Sequence, residues 1–157
     1  MPLKPGADAI IVYDKMICLV LRDNIPTVSR PNTWNAPGGG IEEHETPEEG
    51  MRRELREEIN VDATEIIPLG STTDTAGSVV YRFFVSVTDE QFRSILLLEE
   101  GQRLDWFTLD EVLELGRSGE FTPNFRFFLN TFQKDFQRLI EGERSFTPRD
   151  EIQEAVF

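Results

Sequence analysis

Three glutamates, Glu54, Glu57 and Glu58, stand three and four residues apart downstream of a run of three glycines, Gly38-Gly39-Gly40. On a helix this spacing gathers the carboxylates on one face, where like charges repel and something must offset the repulsion. Solvent and salt do so on ordinary acidic helix faces. A divalent cation does so at a metal site. Mg²⁺ and Mn²⁺ prefer carboxylate oxygens, and Mg²⁺ typically takes a few of them together with substrate phosphates. The neighbours favour a metal. Glycines let a backbone bend tightly or approach a ligand that a side chain would block. Arg53 lies one turn before Glu57, where an i,i+4 pair can hold a carboxylate in place; Arg52 and Arg56 either act similarly or are solvated.

The elements that must position these groups are legible. Ala7–Tyr13 and Met16–Arg22 are β-rich runs joined by Asp14-Lys15, a hairpin pattern. Asp23–Asn35 is polar, contains Pro26 and Pro31, and reads as a loop. Thr46-Pro47-Glu48-Glu49 predicts a helix start, with Thr46 as cap, Pro47 at the first position and Glu49 completing a capping box. Met51, Leu55 and Ile59 form its buried stripe, and Asn60 suits a left-handed helix stop. Glu65–Asp74 and Ser78–Thr88 are strand candidates around an Ala76-Gly77 turn, and Arg103–Phe107 is another. Asp89–Leu98 fits either a helix or, in its second half, a strand. Capping motifs at Thr108 and Thr122 open two more helices, the last with Phe125, Phe128, Leu129, Phe132, Phe136 and Leu139 on its core face. Strands and helices mix without a regular βαβ alternation, so an α/β or α+β mixed sheet flanked by helices is expected.

The chain has 157 residues, 39% hydrophobic and 29% charged. That suits one domain over residues 1–140, followed by a polar tail over 141–157 that is either partly disordered or packed on the domain. The net charge of −13 argues against a nucleic-acid polymer as partner, because backbone binding needs a Lys/Arg surface. It leaves a nucleotide open, since acidic clusters bind cations and cations bind phosphate. A single cysteine, Cys18, excludes an internal disulfide and reads as a small buried residue. No membrane-spanning run or apolar leader core is legible, so a cytoplasmic location is expected.

The spacing resembles a family. Gly39, five residues, Glu45, seven residues, then Arg53-Glu54-Leu55, Arg56, Glu57-Glu58, Ile59, Asn60 and Val61 is similar to the Nudix box. Trp34-Asn35-Ala36-Pro37-Gly38-Gly39 looks like the family's lead-in. Two positions depart: the family has glycine where this chain has Asn60, and often glycine where it has His44. The resemblance implies the Nudix α/β/α sandwich around a mixed β-sheet. It implies Mg²⁺, with Mn²⁺ as a substitute, held by Glu54, Glu57, Glu58 and the Gly38 carbonyl, with Arg53 orienting the carboxylates and Gly39 adjoining the substrate. Glu54 or Glu100 would act as general base, with Glu100 alternatively a further metal ligand. Glu100 looks like the late acidic residue of MutT-like enzymes, although Glu99 leaves the register open and a solvated acidic turn is the alternative. A homodimer is also compatible with the family; no interface is legible.

For the substrate, Arg22 resembles a phosphate-contacting arginine, against the plainer reading of a strand-end arginine. Asn124 matches an asparagine that hydrogen-bonds the base in MutT-type enzymes, against a helix-start residue. Phe83, with Phe121, Phe125 and Phe128, either walls a base or packs the core. The expected reaction is hydrolysis of a (deoxy)nucleoside triphosphate, an oxidised purine included, to monophosphate and pyrophosphate. A nucleotide-sugar or other NDP-X pyrophosphatase is the alternative. Rivals of other classes are a non-catalytic nucleotide sensor, an isopentenyl-diphosphate isomerase needing a catalytic cysteine, and a plain acidic interaction domain.

Overall fold

The computed structural model describes residues 3–98 and 101–154. Its centre is β1 (Gly6–Tyr13), whose side chains alternate between two apolar layers. Ile10 and Val12 enter one core; Ala7, Ala9 and Ile11 enter the other. Asp14 and Lys15, at φ 48° and 63°, turn the chain into β2 (Met16–Leu21), with Tyr13 opposite Met16. Two consecutive positive φ values are what a tight hairpin requires.

The remaining strands are β3 (Trp34–Asn35), β4 (Gly38–Gly40), β5 (Glu65–Thr73), β6 (Val79–Ser86), β7 (Arg103–Phe107) and β8 (Arg149–Gln153). They form one mixed sheet in the order β3-β2-β1-β6-β5-β8, with β4 paired to β1 and β7 to β2. β1 runs parallel to β6 and β5 parallel to β8; the other pairs are antiparallel. A sheet buried on both faces needs helices on both. Helix α1 (Pro47–Ile59) covers one face with Met51, Leu55 and Ile59. On the other, α3 (Leu109–Arg117) and α4 (Pro123–Ile140) contribute Val112 and the phenylalanine-rich stripe of α4. This is the expected three-layer sandwich.

Helix α1 starts where the sequence predicts. Thr46 Oγ1 accepts from the Glu49 amide at 3.2 Å, but Glu49 makes no return bond to the Thr46 backbone, so only half of the expected capping box forms. Asn60 stops the helix at φ 60°, ψ 39°. The ambiguous Asp89–Leu98 segment is helical only in its first half, and its second half is extended without joining the sheet as a strand. Asp89–Ser94 is a short helix, α2. The chain then extends, and the Leu96 and Leu98 amides donate to the Ile59 and Glu58 carbonyls at 3.1 and 2.9 Å. That strap satisfies carbonyls that a helix end leaves open. No helix among the described residues is long and apolar enough to cross a membrane.

Candidate active site

The glycine run works by close approach rather than by bending. None of Gly38, Gly39 and Gly40 has a positive φ; they form β4, which lies antiparallel to the start of β1 with Gly38 opposite Asp8 and Gly39 opposite Ala7. A Cβ on Gly39 would lie 2.5 Å from both Cδ and Oε2 of Glu54. On Gly38 it would fall 2.2 Å from the Ala7 carbonyl oxygen. The absent side chains bring α1's acidic face down onto the strand. The Gly38 amide donates to Glu58 Oε2 at 2.9 Å.

Arg53 holds the acidic face together. Its Nε and Nη2 donate to the two oxygens of Glu45 at 2.8 and 2.9 Å, and Nη2 also reaches the Gly40 carbonyl at 2.8 Å. Its Nη1 donates to Glu54 Oε1 at 3.0 Å and Glu57 Oε2 at 3.1 Å. A guanidinium has five N–H donors, and these five contacts engage them all. The bidentate hydrogen bond from Arg53 holds the Glu45 carboxyl at about 2, well below its ordinary 4.5. The bonds to Glu45, and then Glu54, raise the Arg53 guanidinium above its ordinary value. Glu45 is marked in the sequence only as a position of the box spacing, with no role assigned, and the structure makes it the anchor of Arg53.

Gly38, Gly39, Glu54 and Glu58 line one cleft together with Arg22 and Asp23. It encloses about 270 Å³, near the small end of the usual range for ligand sites. Arg22 stands at its rim, with Nε donating to the Ser29 carbonyl at 2.9 Å. Asp23, read from sequence only as the start of a loop, brings a further carboxylate into the cleft, and its Oδ2 accepts from the Gly101 amide at 3.2 Å. Glu57, bonded to Arg53, is not among the residues lining this cleft, and its side chain is 48% exposed. Glu99 and Glu100 lie outside the described residues.

Among the described residues, no three His, Cys, Asp or Glu side chains converge into a closed metal cage. Mg²⁺ does not demand one. It commonly takes one or two carboxylates and completes its shell with water and substrate phosphate. Glu54 and Glu58, both oxygen donors facing one open cleft, fit that requirement.

A family model described as NUDIX domain matches residues 2–129. The chain belongs to the Nudix family. Among relatives of this Nudix chain, the RNA pyrophosphohydrolase of Marinomonas sp. is 35% identical over 78 residues, which is 50% of this chain and 45% of that protein. The 8-oxo-dGTP diphosphatase of Proteus vulgaris is 53% identical over 32 residues, 20% and 29% of the two chains. The matches thus span about half or less of these relatives' length. Among solved structures, a NUDIX hydrolase from Nitrosomonas europaea superposes with a TM-score of 0.66 at 18% identity, over 96% of this chain and 79% of that one. A MutT NUDIX hydrolase from Burkholderia pseudomallei gives 0.65 at 23%, over 81% and 95%. Those likenesses show the shared Nudix fold.

Two predicted substrate contacts do not reach the cleft. Phe83 points to the α1 side of the sheet and is buried there, 3% exposed. Its place in β6 is an inward one, and core packing claims it. Asn124 is engaged within the molecule: its Oδ1 accepts from Arg82 at 2.9 Å and its Nδ2 donates to Asp8 Oδ2 at 2.6 Å. Neither Asp8 nor Arg82 is singled out by the sequence, because each is an isolated charge in an apolar strand with its partner 74 residues away. Cys18 is fully buried on the α1 side, and burial pushes its thiol well above the ordinary value, with Glu58 and Asp105 adding to the effect. That is no environment for the reactive thiol an isomerase needs.

Proposed function

We propose that this Nudix chain is a Mg²⁺-dependent pyrophosphohydrolase that cleaves a nucleoside-diphosphate-linked substrate, with a (deoxy)nucleoside triphosphate, oxidised purines included, as the preferred class. The observation that carries the reading is the convergence of Glu54 and Glu58 on the Gly38–Gly39 strand, with Arg22 across the same cleft. Glu54, Glu57, Glu58 and the Gly38 carbonyl hold the cation in this proposal. The bound cation supplies charge neutralisation for the phosphoryl oxygens and acidifies a water. Arg22 meets a phosphate, for which a fixed planar cation is suited. Glu54, pinned between Gly39 and Arg53, takes the water's proton, a task that requires a base at fixed distance; Glu100 is the alternative base. Asn124 contacts no base in this reading, because both ends of its amide are already bonded.

The test is incubation with Mg²⁺ and a panel of (deoxy)nucleoside triphosphates, 8-oxo-dGTP, sugar nucleotides and dinucleotides, with the products identified. Nucleoside monophosphate plus pyrophosphate from a triphosphate supports the proposal. Turnover of sugar nucleotides alone moves the assignment to an NDP-X pyrophosphatase, and tight nucleotide binding without turnover to a sensor. The relatives named RNA pyrophosphohydrolase favour a second reading, the same bond cleaved at the triphosphate end of an RNA. A 5′-triphosphorylated oligonucleotide belongs in the panel for that reason, although the charge of −13 opposes a grip on the polymer. Glu57→Gln is expected to lower turnover by about tenfold or more while leaving the unfolding midpoint nearly unchanged, because an exposed charge contributes little stability. Normal turnover in that variant removes Glu57 from the site.

A further inference from the structure

Behind Gly38, on the face of the sheet opposite α1, lies a charged group the proposed reaction does not use. Arg82 is 1% exposed, beside the aliphatic and aromatic core on that face. Its Nη1 donates to Asp8 Oδ2 at 2.8 Å, its Nε to Thr72 Oγ1 at 3.1 Å and its Nη2 to Asn124 Oδ1 at 2.9 Å. Its guanidinium carbon stands 4.7 Å from the centre of the Phe128 ring. Asp8 Oδ2 is thus fixed by Arg82 and Asn124 together. Its other oxygen, Oδ1, lies 2.5 Å from the place a Cβ on Gly38 would take. Gly38 in turn donates its amide to Glu58.

A buried ion pair is poor evidence of stabilisation, since an apolar pair of similar volume is often as stable or more so. What this pair does have is position. Through Asp8 it backs Gly38, whose amide donates to Glu58 from the strand side. We infer that Asp8 and Arg82 are positioning residues for the active site: the pair braces Gly38, and through it sets the Glu58 carboxylate and the Gly38 carbonyl for cation binding. The inference rests on the cation-binding role proposed for this cleft.

The test compares the 157-residue wild-type chain, Asp8→Asn, Arg82→Lys and the apolar double variant Asp8→Leu/Arg82→Met. Mn²⁺ affinity is measured by calorimetry without substrate, with kcat and KM measured separately and folding checked by thermal unfolding. The single variants leave a buried charge poorly paired; the double variant removes both charges and keeps the inference testable if a single one fails to fold. The expected result is a cooperatively folded double variant whose Mn²⁺ affinity falls about tenfold or more, the usual size of an outer-shell effect on a metal site. Its kcat falls with it, while KM moves by less than about twofold. Arg82→Lys falls between it and the wild type, because one ammonium cannot copy three directed bonds. A folded double variant with wild-type Mn²⁺ affinity and kcat overturns the inference. Since Mn²⁺ binding is read without substrate, a wild type that binds Mn²⁺ but hydrolyses nothing overturns the proposed reaction alone. A wild type that binds no Mn²⁺ overturns both.

Discussion

A single methyl group on Gly39 would lie 2.5 Å from the Glu54 carboxylate. The obstacle is the end of a flexible side chain, so the fold can yield by moving Glu54, but the moved group is the proposed ligand and base. Gly39→Ala is therefore expected to keep its unfolding midpoint within a few degrees, an effect of under about 1 kcal/mol, and to lose about tenfold or more in turnover. Steady-state kinetics beside a thermal melt checks both halves. Glu45 carries a second prediction. Its folded carboxyl sits at about 2 against an ordinary 4.5, so it stabilises the fold fully above about 4.5 and loses that contribution as pH falls towards 2. The unfolding midpoint of the wild type should fall more steeply across this window than that of Glu45→Gln. Parallel acid limbs for the two proteins would show that the Arg53 pairing contributes nothing to stability. At this scale the sequence exposes groups whose chemistry is set by spacing: Glu54, Glu58 and Arg53 can be found by counting along a helix. It hides Asp8, Arg82 and Asp23, whose meaning comes only from strands and loops brought together across the sheet.

Helix α1 shows how far local rules reach. Thr46, Pro47 and Asn60 mark both of its ends within a residue, because caps and left-handed stops depend on the chain nearby. Asn60→Ala removes the residue type that tolerates φ 60° and also the bond from Nδ2 to the Ser94 carbonyl. It should destabilise by about 1–2 kcal/mol, as a left-handed alanine costs, whereas Asn60→Gly keeps the backbone geometry and should cost less. Denaturant unfolding of the two variants decides, and equal losses would mean the Ser94 bond matters and the backbone does not. Other elements were legible only in part. The glycine run suggests a bend or a close approach, and the approach is what a strand pressed between β1 and Glu54 requires. Asp89–Leu98 defeats a single assignment because its first half obeys a capping box while its second half is drawn out by α1's carbonyls. Phe83 has the chemistry to stack on a base, but alternation along β6 turns it to the core.

The described residues form a sheet covered on both faces, as expected from strands and helices that mix along the sequence without a regular βαβ alternation. Less visible was the return of the chain after α4. Arg149–Gln153 reads as polar tail, yet β8 joins β5 at Gly70. There φ is 138° and a Cβ would lie 1.8 Å from the Arg149 carbonyl oxygen. Such a contact joins segments some 80 residues apart in sequence, and no local pattern announces it. Cys18 offers a measure of the integrity of the whole. It is fully buried in β2, between β1 and β7, so labelling by a thiol reagent should proceed only as fast as the sheet opens. The labelling rate should track global stability across denaturant concentrations; fast labelling under native conditions would mean that the sheet opens locally at β7. The strap over α1 has a related consequence. Because the Leu96 and Leu98 amides are bonded to the last carbonyls of the helix, their protons are shielded from solvent by the same structure that carries Glu57 and Glu58. Deuterium uptake at those two positions is a clock for the acidic helix: it runs slow while the helix end is intact, and it quickens when that end frays, with no probe placed in the cleft itself.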